Sequence, residues 1–450
     1  MKQAATSHRS LAFCALILAT VIAVLDISAV NLALPSIAAD LGLDISHVLW
    51  LSKANLIACA IAILPCSALG DVLGHRRCLF AGLIIVAAAS LGSALSSELW
   101  LLITLRTIQG AASAAIMCST LVLLREIFPP DKLGTALGLN ALFVAVTTTS
   151  GPAISGLILS FVSWRWLFVI GPLLAVVALL LGARFLPEKR LQDSRFDALG
   201  SLLILLIALP LLLFYLKLIT PLWLLLLPLL IGLFVKVQRS TSDPVLPLGL
   251  FANLRFNYAM LASVVAFIGQ NSVFIALPIA FQQFMGHSPL MAALMFIPWP
   301  LATALAGPWA GRQADRRDPR LVAAAGLAVF AVGLATLANL PADADALDIM
   351  WRTAICGLGF GLFQSPNNRE ILTNADRAHT ARAAALLSSA RLLGQALGAI
   401  LVGIIVAASI TTAAQQQSES VAQLFWYACA LQIVLLGLCV VIWLKRQRVN

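Results

Sequence analysis

The sequence predicts an all-α polytopic membrane protein with fourteen transmembrane helices, and three observations predict it. Composition is the first: 450 residues with 61% hydrophobic, 11% charged and a mean hydropathy of +0.98, where soluble globular chains carry about 25% charge. Segmentation is the second. Apolar runs of about 17–25 residues, the length a helix needs to cross a bilayer, lie near 11–35, 47–69, 78–96, 99–124, 134–161, 165–186, 199–217, 221–237, 257–283, 289–310, 321–340, 347–371, 383–409 and 422–444. The third is the sidedness of the cations. With both termini in the cytoplasm, 23 of the 29 lysines and arginines fall on that side, as the positive-inside rule expects. Lipid offers an open backbone no partner, so each run is expected to be a helix.

The same sidedness accounts for the net charge of +10 without a nucleic-acid partner, because the excess sits in cytoplasmic loops. The opposite face carries Asp40, Asp44, Glu98, Asp343, Asp345 and Asp348. All eight cysteines lie in or at the edge of apolar runs, with no CxxC pair. They read as small packing residues and exclude a disulfide framework or a metal site. Lys2, His8 and Arg9 precede the first run, but no small-residue cleavage site follows it, so an uncleaved first span is expected. No catalytic motif is present and the longest cytoplasmic loops are about 20 residues, which argues against an enzyme and against any bound cofactor. The expected partner at this point is the lipid bilayer. A monomer is expected, in the inner (plasma) membrane.

The first run carries a carboxylate inside it. An acid at the centre of a membrane helix costs roughly 2.5–3.5 kcal/mol on insertion scales. Of the 19 acids, 18 can be placed in loops or at run ends, and Asp26 is the exception. Such a residue is paired or in use, although it can also serve as packing glue in a polar bundle interior. Arg106 is eight residues into the fourth run, on the order of 12 Å at 1.5 Å per residue. Asp26 precedes Pro35, at the far end of the first run, by nine residues, on the order of 13 Å. The two are therefore expected at similar depth, where Arg106 could hold Asp26 ionised and protonation of Asp26 could release it. The plainer alternative is that Arg106 bonds backbone carbonyls. No histidine lies mid-span, so no histidine relay is expected.

The chain also repeats. Ala33-Leu34-Pro35 returns as Ala276-Leu277-Pro278, and Asp71 returns as Asp315, each in the loop after the second span of its half. A basic cluster follows each aspartate: His75-Arg76-Arg77, then Arg316-Arg317 and Arg320. Parallel halves related by an axis along the membrane normal are a transporter design, with the substrate between them near the midplane. Six spans per half leave two over. The expected domains are residues 1–190, 191–240 with two inserted helices, and 241–450. The inserted pair is nearly pure Leu, Ile and Pro and looks structural.

At this point the residues resemble a family, the major facilitator superfamily, and within it the fourteen-span drug:proton antiporters. Leu25-Asp26-Ile27-Ser28…Asn31-Leu32-Ala33-Leu34-Pro35 looks like that branch's first-span signature, with Ser28 where threonine is usual. Ser67-Ala68-Leu69-Gly70-Asp71-Val72-Leu73-Gly74-His75-Arg76-Arg77 resembles the superfamily loop between spans two and three, departing at Ser67, Val72 and His75. Its copy, Gly311-Arg312-Gln313-Ala314-Asp315-Arg316, restores the Gly and Arg. The resemblance implies gating latches at Asp71, Gly74, Arg76, Arg77, Asp315 and Arg316, where plain topology determinants are the alternative. Arg106-Thr107-Ile108-Gln109-Gly110 resembles the family's arginine motif.

Thr147-Thr148-Thr149-Ser150-Gly151-Pro152-Ala153-Ile154-Ser155-Gly156 looks like the antiporter motif, with Gly151, Pro152 and Gly156 bending the helix and packing it against 289–310. An ordinary proline kink is the alternative. Exporters of the superfamily carry this motif and importers usually do not, which implies export. Trp164-Arg165-Trp166, Asp197-Ala198-Leu199-Gly200, Leu246-Pro247-Leu248-Gly249-Leu250-Phe251, Gly357-Leu358-Gly359-Phe360-Gly361 and Arg391…Gly394-Gln395…Gly398 extend the likeness.

The resemblance implies a major facilitator fold of two six-helix halves plus two inserted central helices. It also implies a proton-coupled antiporter exporting small amphipathic, cationic drugs or toxic compounds by alternating access. Asp26 would be the proton site and Arg106 its partner. Uptake or export of one defined metabolite is the alternative, and a non-transporting membrane sensor is a third reading. Substrate contacts are expected from Asn31, Phe267, Gln270, Asn271, Phe274 and Gln364, although core packing or lipid contact suits each aromatic as well.

Overall fold

A computed structural model describes residues 2–188, 196–215, 220, 223, 225–241, 244–316, 318–341, 344–374 and 380–409. Among the described residues the fold is entirely helical. In chain order the helices are α1 (Lys2–Leu41), α2 (Ile45–Val48), α3 (Trp50–Leu73), α4 (His75–Leu95), α5 (Leu99–Ile127), α6 (Pro130–Phe161), α7 (Leu167–Phe185), α8 (Ala198–Tyr215) and α9 (Leu226–Ser240), followed by α10 (Leu254–Ile279), α11 (Pro289–Phe296), α12 (Pro298–Arg316), α13 (Pro319–Ala338), α14 (Ala346–Thr373) and α15 (Thr380–Ser409). Ten stretches of them are long and apolar enough to cross a membrane. The predicted run at 422–444 and the predicted domain boundary at 190 lie outside the described residues.

Local chemistry sets most of the boundaries. Gly42 and Gly74, with φ of 62° and 93°, turn the chain after α1 and α3 in the left-handed region that glycine tolerates. Ser288 and Asp345 accept backbone N–H bonds at the starts of α11 and α14, and Asn253 does so at the start of α10. Two runs differ from the sequence expectation. The first does not close at Pro35, because α1 continues to Leu41. Ala33, Leu34, Ile37 and Ala38 are buried on both sides of the proline, and their packing carries the helix past the missing hydrogen bond. The 289–310 run is broken at Ile297, where Pro298 opens α12 with no N–H to give the preceding turn.

The two halves repeat in packing as well as sequence. In the first, α5 packs against α3 and α4, and α1 against α6 and α7; in the second, α14 packs against α12 and α13, and α10 against α15. The tightest approach also recurs. A Cβ at Gly110 of α5 would lie 2.1 Å from the Asn55 carbonyl oxygen of α3, and one at Gly357 of α14 would lie 1.9 Å from that of Trp299 in α12. Arg125-Glu126-Ile127 ends α5 and Arg369-Glu370-Ile371 comes just before the end of α14, a further copy in the same register. The halves meet through α1 with α10, α6 with α11 and α12, and α3 with α15. At the end of the bundle that carries Leu41, Gln282 Nε2 donates to the Leu32 carbonyl at 3.1 Å.

Helices α8 and α9 pack on each other, and α8 touches α3. A polar anchor between them is Asp197, which is buried. Its carboxylate accepts from Gln238 Nε2 at 2.6 Å, from Gly200 N at 2.8 Å and from Val245 N at 3.3 Å. The Asp-Ala-Leu-Gly motif thus ties both inserted helices to the chain leading into α10.

Candidate functional site

Apolar packing brings α1, α3, α4 and α5 together around a small polar core. Asp26 of α1 and Arg106 of α5 form an ion pair through Oδ2 and Nη1, with side chains 12% and 1% exposed. A carboxylate so placed in a membrane-spanning helix is tolerable because the guanidinium neutralises it. Other guanidinium protons reach further acceptors. Nη1 also donates to Gln109 Oε1 at 3.0 Å and Nε donates to the Leu51 carbonyl at 3.1 Å. Asn55 Nδ2 donates to Asp26 Oδ2 at 3.4 Å and to the Arg106 carbonyl at 3.3 Å. Gln109 in turn donates to Ser90 Oγ of α4 at 2.5 Å. The Phe168 ring of α7 lies 5.9 Å from the Arg106 guanidinium carbon. Arg106 therefore binds both the carboxylate and a backbone carbonyl, so the two sequence alternatives are satisfied together.

One side of Asp26 stays reachable. It borders a cavity of about 20 Å³, room for a single water, lined also by Ile22, Ala29, Ser90, Ile154 and Gly171. A protonatable group with a buried counter-charge on one side and a water-sized opening on the other can exchange a proton without leaving its helix. Protonation would remove the charge that holds Arg106.

Gly151 and Gly156 sit at two seams. A Cβ on Gly151 would lie 2.0 Å from Ser28 Oγ, so α6 presses onto α1 two residues from Asp26. A Cβ on Gly156 would lie 2.9 Å from the Pro289 carbonyl and 2.7 Å from Ala293 Cβ, across the interface to α11 in the other half. Pro152 is buried inside α6. In the first loop motif, Asp71 Oδ1 pairs with His75 Nε2 at 3.1 Å, and Arg76 Nη2 caps the Ala183 carbonyl of α7 at 2.7 Å. Arg77 meets Glu188 at 3.5 Å. The three residues that depart from or follow the aspartate thus bind within their own half. In the second copy Arg316 is exposed, and the side chain of Asp315 lies outside the described residues.

The expected substrate residues divide. Asn31 accepts from Ser52 Oγ at 2.7 Å and Asn271 donates to the Gln395 carbonyl at 2.7 Å, so both serve as helix-to-helix ties. Phe267 and Phe274 belong to an aromatic chain in the second half, Phe274 being half-buried. Gln270 is 8% exposed and Gln364 half-buried. The sequence reading missed Asn55, Gln109 and Ser90 as members of the Asp26 site. Gln109 had a signal, its place three residues after Arg106 on one helix face. Asn55 and Ser90 are polar residues in apolar runs, and only the packing shows where they point.

Two helical repeats, the first of which encloses a buried, part-accessible ion pair, make up a membrane-spanning bundle. The chain belongs to the Major Facilitator Superfamily, whose family model matches residues 16–258 and 259–450. It is 38% identical over 400 residues to the uncharacterized transporter YebQ of Escherichia coli, covering 85% of this chain and 86% of that one. It is 30% identical over 437 residues to the riboflavin transporter RibZ of Clostridioides difficile, covering 94% of each. It is 28% identical over 397 residues to the methyl viologen resistance protein SmvA of Salmonella typhimurium, covering 86% of this chain and 80% of that one. Among solved structures, a bacterial homologue of the human lysosomal transporter Spinster superposes with a TM-score of 0.71 at 14% identity, covering 96% of each chain.

Proposed function

We propose that the chain is a proton-coupled antiporter of the fourteen-span drug:proton branch, exporting small amphipathic compounds across the bacterial inner membrane by alternating access. The observation that carries the reading is the Asp26–Arg106 pair with its water-sized opening. Asp26 takes up the proton and Arg106 is its positioning partner. Loss of the Asp26 charge frees Arg106 and biases the packing of α1 against α5 and α6. Gly156 lies at the seam along which the halves rock, Gly151 and Pro152 set how α6 packs on α1 beside Asp26, and Asp71, Gly74, Arg76, Arg77, Asp315 and Arg316 are cytoplasmic latches. Each proton entering gains about 2.3 kcal/mol per 100 mV of membrane potential, which can drive efflux. The relation to a methyl viologen resistance protein supports a drug or toxic compound as cargo. A second reading, a transporter of one defined metabolite, is favoured by the higher identity to a riboflavin transporter over nearly the whole chain.

Everted membrane vesicles energised to an acid interior test both. Wild type is expected to take up methyl viologen or riboflavin in a manner abolished by a proton-collapsing ionophore, and Asp26→Asn at equal expression is expected to be inactive. Uptake insensitive to the ionophore, or full activity in Asp26→Asn, refutes proton coupling through Asp26. Uptake of riboflavin alone selects the metabolite reading.

A further inference from the structure

The second half holds a cation that the proton site does not use. Arg391 lies eleven residues into α15, on the order of 16 Å from its start and inside the membrane-spanning stretch Ala385–Ile404. Arg106, Arg165, Arg320 and Arg352 each pair with an aspartate. Among the described residues Arg391 has no carboxylate partner. Its Nη2 donates to Asn368 Oδ1 of α14 at 2.6 Å, and its guanidinium stands 5.6 Å from the Phe267 ring centre. Its Nε is buried with no acceptor. The nearest acid along α14, Glu370, is two positions past Asn368 and so not on its face; its field acts on Arg320. A guanidinium inside a membrane without counter-charge marks a site that a ligand completes.

The surroundings say what kind of ligand. From Phe267 a chain of rings runs edge to face through Phe360, Phe330 and Trp299 to Phe274. The Trp299 indole N–H within that chain is buried without an acceptor. Gln364, one turn before Asn368 on α14, and Gln270, one turn after Phe267 on α10, make no hydrogen bond among the described residues. In the first half Arg106 neutralises Asp26. In the second half, among the described residues, the Arg391 guanidinium has no carboxylate beside it.

We propose that Arg391 is the anion-recognising residue of a substrate subsite in the second half, and that it takes aromatic compounds carrying a carboxylate. The planar guanidinium suits a two-oxygen acceptor, and Phe274, the half-buried end of the ring chain, is a ring on which an aromatic body can pack. The proposal rests on the reading of this chain as a transporter with its chamber between the halves. It is independent of proton coupling.

The test is binding to the purified full chain in detergent at pH 7.5, read as the shift of its thermal unfolding midpoint. The probes are 2-naphthoate, 2-naphthamide and 2-naphthylmethylammonium, with the matching acid, amide and ammonium on an anthracene ring. The carboxylates are expected to act at concentrations at least tenfold lower than their amides and ammonium analogues. Arg391→Lys is expected to keep part of that preference, and Arg391→Gln to abolish it. Equal potency of acid and amide in both wild-type series overturns the proposal, and that comparison needs no variant to fold. So does a preference that survives in Arg391→Gln. If the acid preference fails while Asp26→Asn still abolishes uptake, only this assignment falls.

Discussion

Removing both members of the Asp26–Arg106 pair is expected to cost much less than the sum of removing each. Arg106 is 1% exposed and Asp26 12%, so a lone guanidinium left by Asp26→Ala remains buried. Breaking a buried pair from one side costs about 3–5 kcal/mol. The retained bonds to Gln109 and to the Leu51 carbonyl place Asp26→Ala at the lower end, about 3 kcal/mol. Asp26→Asn keeps an oxygen for Nη1 and loses only the charge assistance, about 1–2 kcal/mol. Arg106→Gln strands a carboxylate that can still reach the water-sized cavity and keeps Asn55 Nδ2 as donor, about 2 kcal/mol. The Asp26→Ala/Arg106→Gln double variant removes both charges, so a coupling energy of about 2–3 kcal/mol is expected. The assay is equilibrium unfolding of the four purified proteins in one detergent at pH 7.5. Additivity within about 0.5 kcal/mol would show that the two groups do not hold each other, and the coupling scheme would lose its basis.

Three further outcomes follow from the packing. Gly110→Ala puts a methyl 2.1 Å from the Asn55 carbonyl, which is backbone and cannot rotate away; it is expected to lower stability by about 1–3 kcal/mol or more, read as the unfolding midpoint. Gly156→Ala crowds the contact between α6 and α11 across the halves, so spin-label distances at the Leu41 end should shift to larger separations with folding intact. Asp318 caps α13 and binds Arg320, whose bond holds the Asp318 carboxyl below its ordinary value. Its contribution is therefore complete above the unfolded value near pH 4 and is lost as pH falls through the lower folded value. Asp318→Ala should cost about 1 kcal/mol at pH 7 and progressively less in acid, as thermal unfolding against pH will show.

Much of the architecture is legible in the chain because a bilayer enforces it. A run of twenty apolar residues has no alternative to a helix, so the spans from Leu11 to Ser409 fall on helices wherever residues are described. The same demand makes Asp26 conspicuous, since an acid among Leu25, Ile27 and Ala29 needs a partner, and helical rise alone places Arg106 at its depth. Packing held what the pattern could not. The break at Ile297, the run of α1 past Pro35, and the turn of Asn31 and Asn271 into helix ties depend on which neighbours fill the adjacent space. The sequence by itself determined a membrane-spanning helical chain with one acid to explain. Only the tertiary structure decided that Asn55, Gln109 and Ser90 complete that acid's surroundings, and that Arg391 has no carboxylate partner among the described residues. Hydropathy reports how far a residue lies from water along one helix, whereas pairing depends on which helices meet and on the rotation at which they do.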